Sequence, residues 1–161
     1  MADIARRAYA SRVGIDMVEQ IVSQLREEGA RVTTARRLVL TILVDAKGHM
    51  TADDLLAAVH ELAPDIHGST VYRNLDELER LGVVIHSHLG HGAATYSLAT
   101  RAHAHLVCER CHASFEAPED LVAAMARGAK RRLGFVMHPY HFAVLGICAD
   151  CARTDAVLPA E

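Results

Sequence analysis

All four cysteines of the chain fall in two C-x-x-C pairs, Cys108–Cys111 and Cys148–Cys151. Four thiolates complete the tetrahedral coordination of Zn²⁺ and leave no open position, which is typical of a structural site. The segment that contains them is about 60 residues long, and a core of that size rarely supports itself without a cross-link. The two pairs therefore predict a shared structural zinc in the C-terminal part of the fold.

A C-x-x-C pair can also have other roles. Cys108, Cys111 and His112 have the C-x-x-C-H spacing that attaches a c-type haem, and a single pair can also act in redox chemistry or remain as free thiols. Haem attachment requires export to an oxidising compartment, and the charged N-terminal segment shows no secretory signal. It would also leave the second pair unexplained, so the pattern favours the shared zinc.

The composition is that of an ordinary globular protein, with 51% hydrophobic and 23% charged residues. No apolar run reaches the roughly 18 residues of a membrane span, so none is predicted. We expect the protein in the cytoplasm, where paired cysteines indicate metal or redox chemistry more than disulfides. The net charge of −3 means that any surface for nucleic acid must be a local patch.

The N-terminal part has the pattern of a winged helix-turn-helix domain. Apolar residues recur at helical spacing in four segments, and the third segment opens with a capping box of the form T-x-x-D at Thr51 and Asp54. Two strands around a glycine-rich turn follow over residues 83–98. The predicted fold class is α+β, with a winged-helix domain over residues 1–98 and an α/β domain over residues 99–161.

The fourth predicted helix, "GSTVYRNLDELER", has the form of a DNA-recognition helix. Val71, Leu75 and Leu78 form its apolar stripe, and the acids of its second half would repel phosphate, so only its first turns can enter a major groove. Arginine there can bind guanine or phosphate, and tyrosine can pack on a thymine methyl group or bond a phosphate. A solvated helix face is the alternative. The residues predicted to be available to DNA are Ser69, Thr70, Tyr72, Arg73 and Asn74, with Arg36 on the second helix.

Eleven histidines are a second unusual feature, because histidine is the commonest metal ligand. His103 and His105 share one face of a predicted strand, whereas Cys108 has the opposite parity, so this strand would supply two metal sites from its two sides. His86 and His88 repeat the spacing in the predicted hairpin. A lone histidine is more often a solvated surface residue, but two such pairs favour binding of Zn²⁺, Ni²⁺, Cu²⁺ or Fe²⁺.

Several segments together resemble the ferric uptake regulator family of bacterial metal-dependent repressors. The segment "STVYRNLDELERLGVV" resembles its recognition helix and wing, "HAHLVCERC" its metal-binding strand, and "GICADC" its second zinc knuckle, while "RVTTARRLVL" departs from the family at Thr34 and Ala35. The resemblance covers about residues 16–152. It implies a homodimer with a C-terminal dimerisation domain, which clamps AT-rich palindromic operators when metal is bound.

The resemblance also implies ligand sets. It assigns a structural zinc to the four cysteines, and a regulatory metal at the domain hinge to His49, His103, His105 and Glu116. Ser97 stands where the family normally supplies a further acid, which disfavours an iron site. Ala102, Ala104 and Ala123 stand where a further exposed site would need ligands, so that site is predicted to be absent.

The wing segment "HSHLGHG" resembles the nickel-responsive branch of the family. The resemblance implies a second, all-histidine regulatory site on His86, His88 and His141, suited to Ni²⁺ or Zn²⁺, with Fe²⁺ less favoured. The predicted function is therefore a nickel- or zinc-responsive repressor and not an enzyme.

Several alternatives remain open at the level of the sequence. An iron-responsive regulator or a peroxide sensor of the same family is disfavoured by Ser97. A metal-storage protein would not need the recognition helix. A hydrolytic zinc enzyme would need a general base beside an open metal position, and the sequence shows no obvious one.

Overall fold

The computed structural model describes most of the 161-residue chain, over residues 2–46, 48–88, 93–138 and 143–155. The chain divides into two compact units. The first consists of Met1–His86 and Thr95–Arg101, and the second of Ser87–Ala94 and Ala102–Glu161. The division thus falls after Arg101, where the sequence predicted a boundary after residue 98, and it groups the outer part of the predicted wing with the second unit.

Four helices build the first unit: α1 (Ala2–Glu27), α2 (Thr34–Asp45), α3 (Ala52–Leu62) and α4 (Gly68–Arg80). The Thr33 hydroxyl caps α2 by accepting a hydrogen bond from the Arg36 amide at 3.2 Å, and Thr51 forms the predicted capping box with Asp54 at the start of α3. Gly29 follows α1 with a φ of 77°, a left-handed conformation that glycine adopts without strain. None of the helices described is long and apolar enough to cross a membrane.

The core of the first unit is formed by leucine and valine side chains of all four helices and of the strands that follow them. The buried members are Val18, Val22, Leu25, Val39, Leu40, Leu43, Val44, Leu55, Val59, Val71, Leu75, Leu78, Val84 and Leu98. Each fully buried side chain of this kind contributes roughly 1.5–3 kcal/mol of transfer free energy. The predicted apolar stripe of α4 is confirmed, because all three of its members have no exposed surface.

A three-stranded sheet supplies the wing. The two predicted strands are present as β2 (Val84–His88) and β3 (Ala94–Leu98), and a two-residue strand, β1 (Met50–Thr51), pairs antiparallel with β3. Because β1 leads directly into α3, backbone hydrogen bonds join the wing to the start of that helix. Helices followed by a hairpin confirm the predicted winged-helix architecture and the α+β fold class.

The second unit contains a sheet of three short strands and two helices. In chain order these are β4 (His105–Cys108), β5 (Ser114–Glu116), α5 (Glu119–Leu133), β6 (Ala143–Gly146) and α6 (Ala149–Asp155). The central strand β4 is antiparallel to β5 and parallel to β6. A parallel pair requires a crossover connection, and α5 lies in it. Gly134 ends α5 in the left-handed conformation, and Pro118 takes the N-cap position.

Among the residues that the structure describes, the apolar core of the second unit is small. Ala104, Ala117 and Val122 are buried, with Leu106 packed against them. Several larger apolar side chains are instead exposed, among them Leu133 with 80% of its surface accessible. A core of this size contributes little stability by itself, which agrees with the predicted need for a cross-link.

Candidate metal centre

The two C-x-x-C pairs meet at one end of the second unit's sheet. Cys108 is the last residue of β4, and Cys148 follows the neighbouring strand β6. The Sγ atoms of all four cysteines lie within 4.8 Å of one another, and those of Cys111 and Cys148 are 3.7 Å apart. A tetrahedral zinc with Zn–S bonds of about 2.3 Å holds its sulfurs roughly 3.8 Å apart. The four thiols therefore fit this ion.

The four thiols differ in their readiness to ionise. Backbone N–H groups of Cys111 and Cys148 lower the pKa of Cys108 to about 6. The neighbouring thiols of Cys148 and Cys111 raise the pKa of Cys151 to about 12. One thiolate forms readily, whereas further thiolates beside it repel one another unless a cation neutralises them. A divalent ion supplies that charge, and four thiolates leave it no open position.

A second group of metal-ligand side chains lies where β4 begins. The ring centroids of His103 and His105 are 4.5 Å apart, and His105 is only 4% exposed. The Nε2 atom of His103 lies 3.4 Å from a carboxylate oxygen of Glu116, which stands opposite His105 in the antiparallel pairing with β5. His103 precedes β4 instead of lying in it, but the two imidazoles are adjacent. His49 belongs to the first unit, where it is half-buried just before β1.

Ser114 is a further member of this group that the sequence analysis missed. Its hydroxyl lies 3.2 Å from Nδ1 of His105, within hydrogen-bond distance. Histidines that bind metal through one ring nitrogen are commonly oriented by a hydrogen bond to the other, so a metal bound by His105 would be held through Nε2. The sequence did contain a signal, since Ser114 and Glu116 are two residues apart and share one face of a strand.

The wing histidines have different surroundings. His86 and His88 alternate along β2 on one face, but the Nδ1 atom of half-buried His86 pairs with the carboxylate of Glu79 on α4, and its ring centroid lies 6.2 Å from that of Tyr96. Within the residues that the structure describes, no group of three or more close ligands includes either histidine. The third predicted ligand, His141, lies outside the described residues. No local sequence pattern predicts the pairing of Glu79 with His86, because the two residues lie on different elements.

The face of α4 that the sequence assigned to DNA is largely exposed. Tyr72 and Arg73 project from it, and Ser69 and Thr70 lie in its first turn. The Nε atom of Arg73 donates to the Ser69 carbonyl oxygen at 3.2 Å. The Tyr72 hydroxyl donates to Oδ1 of Asp53 on α3 at 3.0 Å, and this hydrogen bond raises the pKa of Tyr72. The first half of the helix therefore presents the Arg73 guanidinium and the tethered phenol ring of Tyr72.

Asn74 was wrongly predicted to be available to DNA. It is 7% exposed, its amide nitrogen donates to the Thr70 carbonyl at 2.8 Å, and its carbonyl oxygen accepts from Nε of Arg36 at 3.1 Å. Arg36 also donates to the Arg31 carbonyl oxygen at 2.6 Å. Position 74 lies on the apolar face of α4, and a buried amide there requires these partners. Part of the Arg36 guanidinium is thus used inside the fold.

Comparison with known proteins relates this architecture to one family. The family model described as the ferric uptake regulator family matches residues 27–145. The peroxide-responsive repressor PerR of Staphylococcus aureus is 26% identical over 134 residues, which cover 83% of this chain and 90% of the repressor.

Solved structures agree with that match. The ferric uptake regulator of Pseudomonas aeruginosa, solved with manganese, has a TM-score of 0.65 and 29% identity, covering 79% of this chain and 96% of that one. A zinc uptake regulator in complex with zinc and DNA has a TM-score of 0.60 and 26% identity, covering 89% of this chain and 97% of that one. These relatives are transcription regulators and not enzymes. Because the family match spans most of the sequence and the fold agrees, this chain belongs to the ferric uptake regulator family of metal-responsive regulators.

Proposed function

We propose that the protein is a DNA-binding repressor whose affinity for its operator depends on a regulatory metal, Ni²⁺ or Zn²⁺. The observation that carries the proposal is the position of the His103 and His105 imidazoles beside the Glu116 carboxylate, at the start of β4, whose last residue is Cys108 of the four-cysteine cluster. A sulfur site without an open position and a separate group of nitrogen and oxygen donors thus lie at opposite ends of one strand. The first suits a retained ion, and the second suits an exchangeable one.

We assign a structural zinc to Cys108, Cys111, Cys148 and Cys151. The spacing of the sulfurs fits a tetrahedral ion, and the small core of the second unit needs a cross-link. Haem attachment or a redox pair would use the two C-x-x-C pairs separately. The sulfurs of both pairs instead lie in one cluster, which supports a shared ion.

The regulatory ion is assigned to His103, His105 and Glu116, completed by His49 of the first unit as in the resemblance. An ion that takes ligands from both units binds most tightly to the conformation in which all of these ligands reach it. Metal binding would therefore shift the population of conformations toward that one. Imidazole-rich sites suit Ni²⁺ and Zn²⁺, and affinity alone does not discriminate between them.

A second, all-histidine site is assigned to the wing, on His86, His88 and His141. Because Nδ1 of His86 pairs with Glu79, its Nε2 atom is the one that would bind metal. A carboxylate behind a metal-binding imidazole raises the basicity of that ligand. Glu79 would therefore strengthen metal binding at the wing.

The proposed repressor acts as a cytoplasmic homodimer on an AT-rich palindromic operator. Exposed apolar side chains on the second unit's sheet, including Phe115, Val144 and Leu145, line a groove of about 330 Å³, and such patches mark interaction surfaces. Two copies would place two recognition helices on the two half-sites. The DNA contacts are assigned to Arg36, Ser69, Thr70, Tyr72 and Arg73.

The experiment that tests this function is a fluorescence anisotropy titration on a panel of AT-rich palindromic duplexes. Protein that retains its zinc is measured with chelator and then with Ni²⁺, Zn²⁺, Fe²⁺ or Mn²⁺. We expect Ni²⁺ or Zn²⁺ to tighten binding at least tenfold. His103→Ala combined with His105→Ala should remove the response, and His138→Ala, at an exposed histidine, should retain it. A response to none of the four metals on any duplex would contradict the proposal.

The same titration tests the wing site. His86→Ala combined with His88→Ala should abolish nickel-dependent DNA binding, while elemental analysis still finds one zinc per chain. Loss of that zinc from the double variant would show that the wing and cysteine sites are not separate.

A peroxide sensor of the same family is the second candidate, favoured by the 26% identity to the Staphylococcus aureus repressor. In such a sensor, bound Fe²⁺ promotes oxidation of its own histidine ligands. We expect Fe²⁺-loaded protein treated with peroxide to keep its histidine peptides unmodified, because Ser97 replaces the usual acid. Peptides containing His49 or His103 that gain the mass of one oxygen atom, with release of DNA, would favour the sensor instead.

A further inference from the structure

We infer that Asp53 is a positioning residue that couples the regulatory metal site to the recognition helix α4 through its hydrogen bond with Tyr72. The inference rests on the proposed function, in which His49 binds the regulatory metal and Tyr72 contacts DNA. It concerns five consecutive residues, 49–53, which we name the relay segment.

The relay segment connects three parts of the first unit. It begins at His49, continues as β1, and ends in the first turn of α3. Within β1, Met50 pairs with Tyr96 and Thr51 pairs with Thr95 of the wing strand β3. A displacement of His49 is therefore transmitted by the backbone to the wing on one side and to the start of α3 on the other.

Asp53 joins the relay segment to α4. Its Oδ1 atom accepts the hydrogen bond from the Tyr72 hydroxyl at 3.0 Å, across 19 positions of the sequence. Tyr72 is 41% exposed, so the phenol is held at its oxygen while part of the ring faces solvent. This contact links Asp53, the second residue of α3 after β1, to the exposed face of the recognition helix.

The two ends of this contact are held firmly in place. Thr51 and Asp54 exchange hydrogen bonds of 3.1 Å in the capping box, which ties the end of β1 to the first turn of α3. On α4, Asn74 is buried and bonded to Arg36 and to the Thr70 carbonyl. Elements that are packed and bonded in this way move as units, so a shift of the relay segment changes the position of the Tyr72 ring.

The chemistry of the bond determines what Tyr72 presents to DNA. A phenol has a single hydroxyl proton, and while Asp53 accepts that proton the hydroxyl cannot donate it to a phosphate. The carboxylate itself repels phosphates. Tyr72 then offers the bases its ring and an acceptor oxygen, but no donor. Loss of the bond frees the hydroxyl and removes the constraint on the ring.

The test measures the coupling ratio, which is the operator dissociation constant with chelator divided by that with regulatory metal. Asp53→Ala and Tyr72→Phe should each lower the ratio three- to tenfold, and the double variant should lower it no further than either single variant, because both remove the same hydrogen bond. Asp53→Asn, which keeps an acceptor oxygen, should retain most of the ratio. Glu61→Ala, which removes one exposed charge from α3, should leave it unchanged.

A second readout separates coupling from a general structural effect. Binding linkage is reciprocal, so in Asp53→Ala the metal affinity of the DNA-bound protein should fall by the same factor as the coupling ratio. The metal affinity of the free protein and its melting temperature should match wild type.

Distinct results would overturn the inference. Additive effects of Asp53→Ala and Tyr72→Phe, or equal losses of affinity with metal and with chelator, would show that Asp53 shapes the DNA-contacting face without coupling it to metal. A wild-type protein with normal metal-dependent binding and variants with an unchanged ratio would overturn the relay alone. A wild-type protein whose operator affinity does not depend on metal would overturn the proposed function and the relay together.

Discussion

In the parallel pairing of β4 with β6, Cys108 lies opposite Gly146, and Gly146 precedes Cys148 by two residues. Because parallel strands end at the same edge of a sheet, this register brings the two C-x-x-C turns together. The Cys148 amide then donates to the Cys108 sulfur at 3.4 Å. A metal at this point would join both ends of the crossover that contains α5, and it would close a loop that the small core holds weakly.

Loss of one cysteine ligand should therefore destabilise the second unit. We expect Cys108→Ser to lower its unfolding free energy by about 3 kcal/mol or more, since binding energy of a structural zinc is folding energy. Glu109→Ala, at an exposed position in the same turn, is the matched control. Circular dichroism melts with elemental analysis check this, and a Cys108→Ser protein that melts like wild type would show that the zinc is not structural.

Ser114→Ala should weaken the regulatory site without disturbing the fold. The hydroxyl is within hydrogen-bond distance of Nδ1 of His105, and removal of such an orienting contact typically costs roughly 10- to 100-fold in metal affinity. Ser114→Thr, which keeps a hydroxyl, should recover most of the affinity. Competition titrations with a chromophoric chelator measure the change in metal affinity. Equal metal affinities of wild type and Ser114→Ala would show that Ser114 does not contribute to the site.

Substitutions of two neighbouring residues on α4 should affect different properties, one the stability of the fold and the other the affinity for DNA. Asn74→Ala removes two side-chain hydrogen bonds, one from Nε of Arg36 and one to the Thr70 carbonyl oxygen, so we expect a loss of about 1–3 kcal/mol of stability in urea titrations. Arg73→Ala, on the exposed face, should leave stability unchanged and weaken operator binding by roughly 1–3 kcal/mol. The opposite pattern would mean that the assignment of the two faces is wrong.

The capping box at the start of α3 should give the first unit a measurable pH dependence. The Thr51 hydroxyl and amide hold the pKa of Asp54 below its usual value. A lowered pKa means that this carboxylate stabilises the folded state above the ordinary aspartate pKa of about 3.9, and that the contribution disappears as the pH falls through the lower, folded-state value.

Thr51→Ala should therefore lower stability by about 1 kcal/mol at pH 7, a typical cost of a lost N-cap. The difference from wild type should shrink as the pH falls below about 3.9, the ordinary aspartate pKa, and should be smallest below the lowered folded-state pKa of Asp54, where the carboxylate is protonated in both proteins. Urea titrations at neutral and acidic pH measure it, with Thr100→Ala as an exposed control. A difference that is constant with pH would show that Asp54 takes no part.

Much of the local structure was predictable because its causes lie close together in the sequence. The stripe of Val71, Leu75 and Leu78 follows from helical periodicity, and the capping box follows from Thr51 and Asp54 three residues apart. The same periodicity places Asn74 on the buried face, so its availability to DNA was a misreading of a signal that was present. A polar residue on an apolar stripe indicates a bonded, buried side chain at least as often as an exposed one.

The partners of the functional residues are harder to predict because they lie on different secondary-structure elements. Glu79 meets His86 only because β2 packs beside α4, and Asp53 meets Tyr72 only because α3 lies beside α4. No local pattern encodes which side chains of two packed elements face each other. That depends on their packing, which all the core residues determine jointly.

The sequence by itself determined the types of metal ligand, their pairing in short motifs, the apolar faces of the helices and the family of the protein, because each of these depends on spacing along the chain. Only the tertiary structure decided which sheet edge holds both cysteine pairs, that Ser114 lies within hydrogen-bond distance of His105, and that Tyr72 of α4 is bonded to Asp53 in the segment after His49. These contacts arise from strand register and helix packing, which bring together residues that no spacing rule connects.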